Sequence, residues 1–90
     1  MEKSETIACH LYDYIEIACM YQLHVAATLK DGNTVTGKAL NTAIKQIQGV
    51  AQECLMIDTA DDKGIQYIVI SKLTTLSAIT ENPHFDVVHF

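Results

Sequence analysis

The chain has 90 residues, 49% of them hydrophobic, and a chain of this length forms one small core with little material for a deep enzyme cleft. Eleven acidic residues stand against six basic ones, all of them lysines, so that the net charge is −5. This balance disfavours direct binding to a nucleic-acid backbone and favours a basic protein surface as the partner.

The N-terminal segment, MEKSETIACH, lacks the apolar run of about 7 to 15 residues that a secretory signal contains. No stretch of the sequence approaches the roughly 18 to 20 apolar residues of a membrane helix. We therefore expect an intracellular, cytoplasmic protein without a membrane partner, in which the three cysteines are reduced. Because no linker or repeat interrupts the sequence, residues 1–90 are predicted to form a single domain.

The first predicted element is a short amphipathic helix over residues 12–22, YDYIEIACMYQ. Apolar residues recur at helical spacing along one side, while the opposite side carries Asp13, Glu16 and Met20. Asp13 followed three residues later by Glu16 is also typical of a helix N-terminus, where the aspartate accepts from free N–H groups and the glutamate reaches back to the cap. The pair is therefore interpreted either as a cap or as an acidic contact, and the two roles are compatible.

After the helix, apolar residues recur at every second position, which is the spacing of a β-strand. LHVAATLK predicts a first strand, Asp31-Gly32 a two-residue hairpin turn, and TVTGKAL a second strand. Gly37 in the middle of that strand predicts a bulge or a sharp bend. ECLMIDT, IQYIVI and LTTLSAI, which are rich in β-branched residues, predict three more strands. Residues 41–52 are interpreted as a loop with one helical turn, although the pattern leaves their conformation open.

Five short strands after one helix predict a mainly β fold, a small five-stranded antiparallel barrel over residues 23–80. Periodicity leaves Sm-like, SH3-like and oligonucleotide-binding barrels open, and the leading helix favours the Sm-like barrel. The tail, residues 81–90, is predicted either to add an edge strand or to hang free.

No motif for catalysis or metal binding is present. The cysteines and histidines lack the CxxC or HxxxH spacing that begins a zinc site. Cys9 and His10 are adjacent, but adjacency does not bring their side chains together as a nucleophile and its base. The four glycines are scattered and form no phosphate-binding loop. We therefore predict a protein that is not an enzyme and that needs neither a metal nor another cofactor.

The stretch CHLYDYIEIACMYQLHVAATLKDG resembles the Rho-binding antiterminator family, known as Rof or YaeO. Members of that family carry a cysteine, a Tyr-Asp pair, a Leu-Glu-Leu-Ala-Cys run and a strand that ends in Lys-Asp-Gly. Here the corresponding residues are Cys9, Tyr12 and Asp13, 15–19 and 30–32, without an internal gap. The resemblance implies an Sm-like barrel behind an N-terminal helix, and binding to the primary RNA-binding site of the transcription termination factor Rho, which reduces termination.

The resemblance also implies a set of contact residues. Asp13 and Glu16 are the implied acidic contacts, and Tyr12 is an implied flat contact against Rho. Tyr14 and Met20 complete the predicted Rho-binding site. Tyr14 stands where members have a small amide, so that it either contacts the partner or packs on the barrel.

The leading prediction is a monomeric protein inhibitor that binds the RNA-binding domain of Rho, blocks RNA loading and causes antitermination, without touching nucleic acid itself. His10 and Leu11, where members have acidic residues, and the longer segment 41–52 depart from the family pattern. One alternative is an Sm-like module that binds RNA directly, which requires basic loops and stacking aromatics. Another is an assembly subunit that pairs with copies of itself through its tail strand.

Overall fold

A computed structural model of the protein describes residues 9–61 and 63–90. It contains one α-helix, six strands and a short 3-10 helix, Ile70–Lys72, between the fourth and fifth strands. The elements are α1 (Cys9–Met20), β1 (His24–Leu29), β2 (Thr34–Ile47), β3 (Val50–Asp58), β4 (Ile65–Val69), β5 (Leu73–Ala78) and β6 (Val87–His89). No helix in this described part of the chain is long and apolar enough to cross a membrane.

All six strands belong to one antiparallel sheet, in the order β4-β3-β2-β1-β5-β6. The prediction of a mainly β fold with one N-terminal helix is confirmed. The predicted count of five strands is corrected to six, because the tail returns to β5 and pairs Val88 with Leu76. In residues 9–61 and 63–90 no ladder joins β4 to β6, so the sheet is open rather than a closed barrel.

The helix lies earlier in the chain than the predicted range 12–22. Because α1 starts at Cys9, Asp13 is its fifth residue and lies beyond the first turn, so the capping interpretation of Asp13 and Glu16 is wrong. At the other end Gln22 adopts a φ of 50°, and the N–H of Leu23 donates to the carbonyl of Ala18 at 2.9 Å. That bond closes a Schellman motif, in which glutamine takes the place usually held by glycine or asparagine.

The connection between β1 and β2 is longer than the predicted two-residue turn. The last ladder pair is Thr28 with Thr34, so Asp31 and Gly32 lie within a larger loop. The loop is closed by a bond from the N–H of Leu29 to the carbonyl of Asn33 at 2.8 Å. A carboxylate oxygen of Asp31 accepts from the N–H of Asn33 at 2.9 Å, as aspartate commonly does in turns.

Residues 41–52, interpreted from the sequence as a loop with a helical turn, form the outer half of a long hairpin. β2 and β3 pair continuously as far as Ile47 with Val50. The two residues between them, Gln48 and Gly49, have φ values of 52° and 81°, which is the backbone signature of a type I′ turn. Gln48 is an unusual choice at that position, so the turn gives little sequence signal.

β2 changes partner along its length, from β1 in its first part to β3 in its second. The change is accompanied by a bulge between Ala39 and Asn41, not at Gly37, where a bulge was predicted. Gly37 is instead a point of close approach. A Cβ atom there would lie 2.8 Å from both the carbonyl carbon of Asp58 and Cγ2 of Ile57, so only glycine fits.

Replacing Gly37 with alanine is expected to lower the free energy of unfolding by about 1 to 3 kcal/mol, because β2 and the end of β3 must separate to admit the methyl group. Urea denaturation followed by circular dichroism measures the change. The control is Thr36→Ala, an exposed position next to Gly37 on the same strand. A Gly37→Ala variant as stable as the Thr36→Ala control would show that the close approach carries no constraint.

The core lies between α1 and one face of the sheet. Ile15 and Ala18 on the helix are fully buried and contribute to a cluster with side chains from the strands and the 3-10 helix. The other members are Leu23, which directly precedes β1, and the sheet and 3-10 residues Val25, Ala27, Ala39, Leu55, Ile57, Ile68, Ile70, Leu73 and Leu76. Burial of one side of α1 fixes which of its residues face solvent.

Candidate protein-binding surface

The solvent side of α1 carries Asp13, Glu16 and Met20, all of them exposed. Their spacing of three and four residues places them on one stripe of the helix. Met20 is 71% exposed, although it is a large apolar residue. The predicted pattern of two carboxylates and a methionine on the outer helix face is therefore present, with Ile15 and Ala18 buried behind it.

Tyr12, in the first half of α1, is half-buried and packs against the core. Its hydroxyl donates a hydrogen bond to a carboxylate oxygen of Glu53 on β3. The pKa of Tyr12 lies above its usual value, because burial disfavours the phenolate and the Glu53 carboxylate accepts the phenolic proton. The phenol therefore stays protonated at neutral pH and links α1 to β3.

Replacing Tyr12 with phenylalanine is expected to lower the free energy of unfolding by about 1 kcal/mol, because the hydroxyl bond is lost while the ring is kept. Thermal and urea denaturation measure the loss. Glu53→Gln, which keeps an oxygen acceptor at the same place, serves as the control. Its free energy of unfolding should fall less than that of Tyr12→Phe. Equal stability of Tyr12→Phe and the parent protein would show that the bond does not stabilise the helix on the hairpin.

Two tyrosines on α1 and just after it contact the tail. The rings of Tyr14 and Phe85 meet edge to face, with centroids 5.5 Å apart. Tyr21 stacks on His84, with centroids 4.9 Å apart and planes 16° from parallel. Both contacts attach the segment between β5 and β6 to the helix. Tyr14, which was predicted either to contact the partner or to pack on the barrel, thus packs on the tail and is half-buried.

A groove of about 360 Å³ runs between α1 and β2. Its lining residues are Glu16, Cys19, Met20, Leu40, Asn41 and Thr42. Burial, together with the nearby negative charge of Glu16, raises the pKa of the Cys19 thiol to about 11. The thiol is therefore protonated at neutral pH, a state in which it is neither an effective nucleophile nor a metal ligand. The groove is lined by a carboxylate, an amide and apolar surface.

No group of three metal-ligating side chains lies close together within residues 9–61 and 63–90.

The family model described as "Modulator of Rho-dependent transcription termination (ROF)" matches residues 6–90. The chain belongs to this Rof family. The match confirms the resemblance seen over residues 9–32 and extends it to the end of the sequence, so that the Rof-family chain is a regulator of Rho-dependent termination and Rho is the implied partner.

A solved structure also resembles this Rof-family chain. It is described as "YaeO bound to Magnesium from Vibrio cholerae O395", and it is 34% identical in sequence with a TM-score of 0.74. The similarity covers 88% of this chain and 96% of that chain. A search of curated proteins found no match.

Sequence reasoning missed the part of the Rof-family chain that lies beside the helix face. Glu53, Thr42 and Ile44 are 26 or more positions away from Asp13 and Glu16 in the sequence, and the hairpin brings them to α1. One signal would have found them. Had Gln48 and Gly49 been recognised as a two-residue turn, the pairing of Ile44 with Glu53 would have followed by counting back from it.

Proposed function

We propose that this protein inhibits Rho by binding its primary RNA-binding domain and blocking the loading of RNA, which causes antitermination. The observation that carries the proposal is the exposure of Asp13 and Glu16 on a helix whose opposite side is fixed in the core. A surface that holds RNA phosphates presents cationic side chains, and carboxylates pair with the same groups. The net charge of −5 adds long-range attraction to such a surface.

Within this proposal the five predicted site residues divide into two roles. Asp13, Glu16 and Met20 contact the partner, because their side chains project from the outer face of α1. Tyr12 and Tyr14 position that face, since one is hydrogen-bonded to Glu53 and the other packs on the tail. The protein acts as a monomer without a cofactor and makes no direct contact with nucleic acid.

The experiment that tests the proposal is competition. A fluorescent cytosine-rich oligonucleotide is bound to Rho and titrated with this protein at two salt concentrations, while anisotropy is followed. Displacement that weakens at the higher salt concentration is expected, because screening reduces contacts between exposed charges. An oligonucleotide that stays bound in the presence of a large excess of the protein would overturn the proposal.

A further inference from the structure

The hairpin of β2 and β3 extends beyond the helix and exposes an apolar side chain beside it. Ile44 is 63% exposed, compared with 37% for Ile47 and 55% for Val50 on the same hairpin. It pairs directly with Glu53 across the ladder, and directly paired residues in an antiparallel sheet point to the same face. Since Glu53 accepts the hydrogen bond from Tyr12 of α1, Ile44 lies on the face of the hairpin that carries the helix.

Ile44 is continuous with the helix surface through the groove. Thr42, two residues before Ile44 on the same face of β2, lines that groove together with Glu16 and Met20. Two residues along a strand span about 7 Å. A single surface therefore runs from Met20 and Glu16, across the groove and past the edge of Tyr12, to the exposed side chain of Ile44.

The other face of the hairpin has the opposite electrostatic character. Ile47 and Val50 pair with each other on that face, and both are exposed. Lys45, on the same face, places its ammonium group 4.4 Å from the centre of the Tyr67 ring. A cation held there repels a basic partner, whereas Asp13 and Glu16 attract one.

We propose that Ile44 is an apolar anchor of the same docking surface and inserts into an apolar pocket that basic side chains border on the partner protein. The inference rests on the proposed function, since Rho is taken as that partner. The acidic helix face selects a basic surface, and the apolar side chain adds contact area that water would otherwise cover. Large apolar residues in desolvated pockets commonly contribute much of the binding energy of an interface.

The experiment measures the dissociation constant of labelled protein with Rho, for the parent and for Ile44→Ser, at two salt concentrations. Ile44→Ser is expected to bind at least about tenfold more weakly, because an aliphatic side chain no longer leaves water on binding. The ratio between variant and parent should be the same at both salt concentrations, since an apolar contact is not screened. The ratio for Glu16→Gln should instead shrink at the higher concentration.

Val50→Ser is the matched control, because Val50 is 55% exposed on the opposite face of the same hairpin. It should bind within about twofold of the parent, as surface changes outside an interface have small effects. Ile44→Thr, which keeps β-branching and strand propensity, replaces Ile44→Ser if the serine variant melts at a lower temperature than the control.

The outcomes separate the two proposals. Binding of Rho by the parent with no loss in the folded Ile44 variants would overturn the anchor while leaving the proposed function intact. Equal losses in the Ile44 and Val50 variants would overturn the assignment to the helix side of the hairpin. Absence of binding by the parent would overturn both the proposed function and the anchor.

Discussion

A variant in which both Asp13 and Glu16 are alanine is expected to lose the ability to displace RNA from Rho. If each carboxylate pairs with a cation that is desolvated in the complex, each replacement lowers the binding free energy by about 2 to 5 kcal/mol. With both carboxylates removed, binding becomes too weak for displacement to be detected in a competition assay. Anisotropy competition with the cytosine-rich oligonucleotide measures the effect. Displacement by the variant at the same concentration as the parent would place the contact elsewhere.

The stability of this double variant separates binding from folding. Asp13 and Glu16 lie beyond the first turn of α1, where alanine has a higher helix propensity than either acid. The melting temperature should therefore stay the same or rise slightly, whereas loss of a helix cap would lower it. A second double variant, Asp31→Asn with Asp61→Asn, removes two charges from the turns that follow β1 and β3. It should retain most of the displacement, which would show that position matters and not net charge alone.

Local patterns in the sequence were sufficient to predict the helix and the cores of the first five strands. A change from a helical period to a period of two marks the boundary between α1 and β1, and both features depend only on neighbouring residues. The outer face of the helix was predicted for the same reason, because burial of Ile15 and Ala18 leaves Asp13 and Glu16 outside. The described helix already includes Cys9, ahead of the predicted start at Tyr12, since the cap-like spacing of the two acids imitates a helix start.

Features that depend on unusual turns were not predictable in the same way. Gln48 and Gln22 both adopt positive φ values, although glycine and asparagine are the usual residues in that conformation. The long hairpin and the Schellman end of α1 follow from these two positions. The contacts of Tyr12 and the location of Ile44 follow in turn from the hairpin, so the second half of the candidate surface depends on one turn that the sequence hardly marks.

The role of Tyr14 illustrates a different limit. Its position on a helical stripe indicated packing, but the partner ring, Phe85, belongs to the tail, whose conformation the sequence left open. The tail forms β6 through three residues only, Val87–His89. So short a strand has too few residues for a periodic pattern, and its pairing with β5 is a tertiary contact rather than a local preference.

The largest loss of stability is expected from Ile15→Ala. Ile15 is fully buried, with 0% of its surface accessible to solvent, and it is among the largest completely buried side chains. Truncation removes apolar contacts and leaves a cavity between α1 and the sheet, which lowers the free energy of unfolding by about 2 to 5 kcal/mol. A domain of this size has a free energy of unfolding of about 5 to 13 kcal/mol, so the melting temperature should fall by roughly 10 °C or more. Calorimetry or circular dichroism measures the fall.

The same variant connects the core to the proposed inhibition of Rho. A helix of twelve residues is marginally stable in water without tertiary packing. Weaker packing at Ile15 therefore loosens α1, although Asp13 and Glu16 are still present. Binding to Rho should therefore weaken even where the sheet remains folded, because the partner must first order the helix. Ile65→Ala, the same truncation at an exposed isoleucine on β4, should leave both the melting temperature and the affinity for Rho nearly unchanged and provides the control. Undiminished affinity in an Ile15→Ala variant with a loosened helix would mean that Rho recognises the acidic residues without a preformed helix.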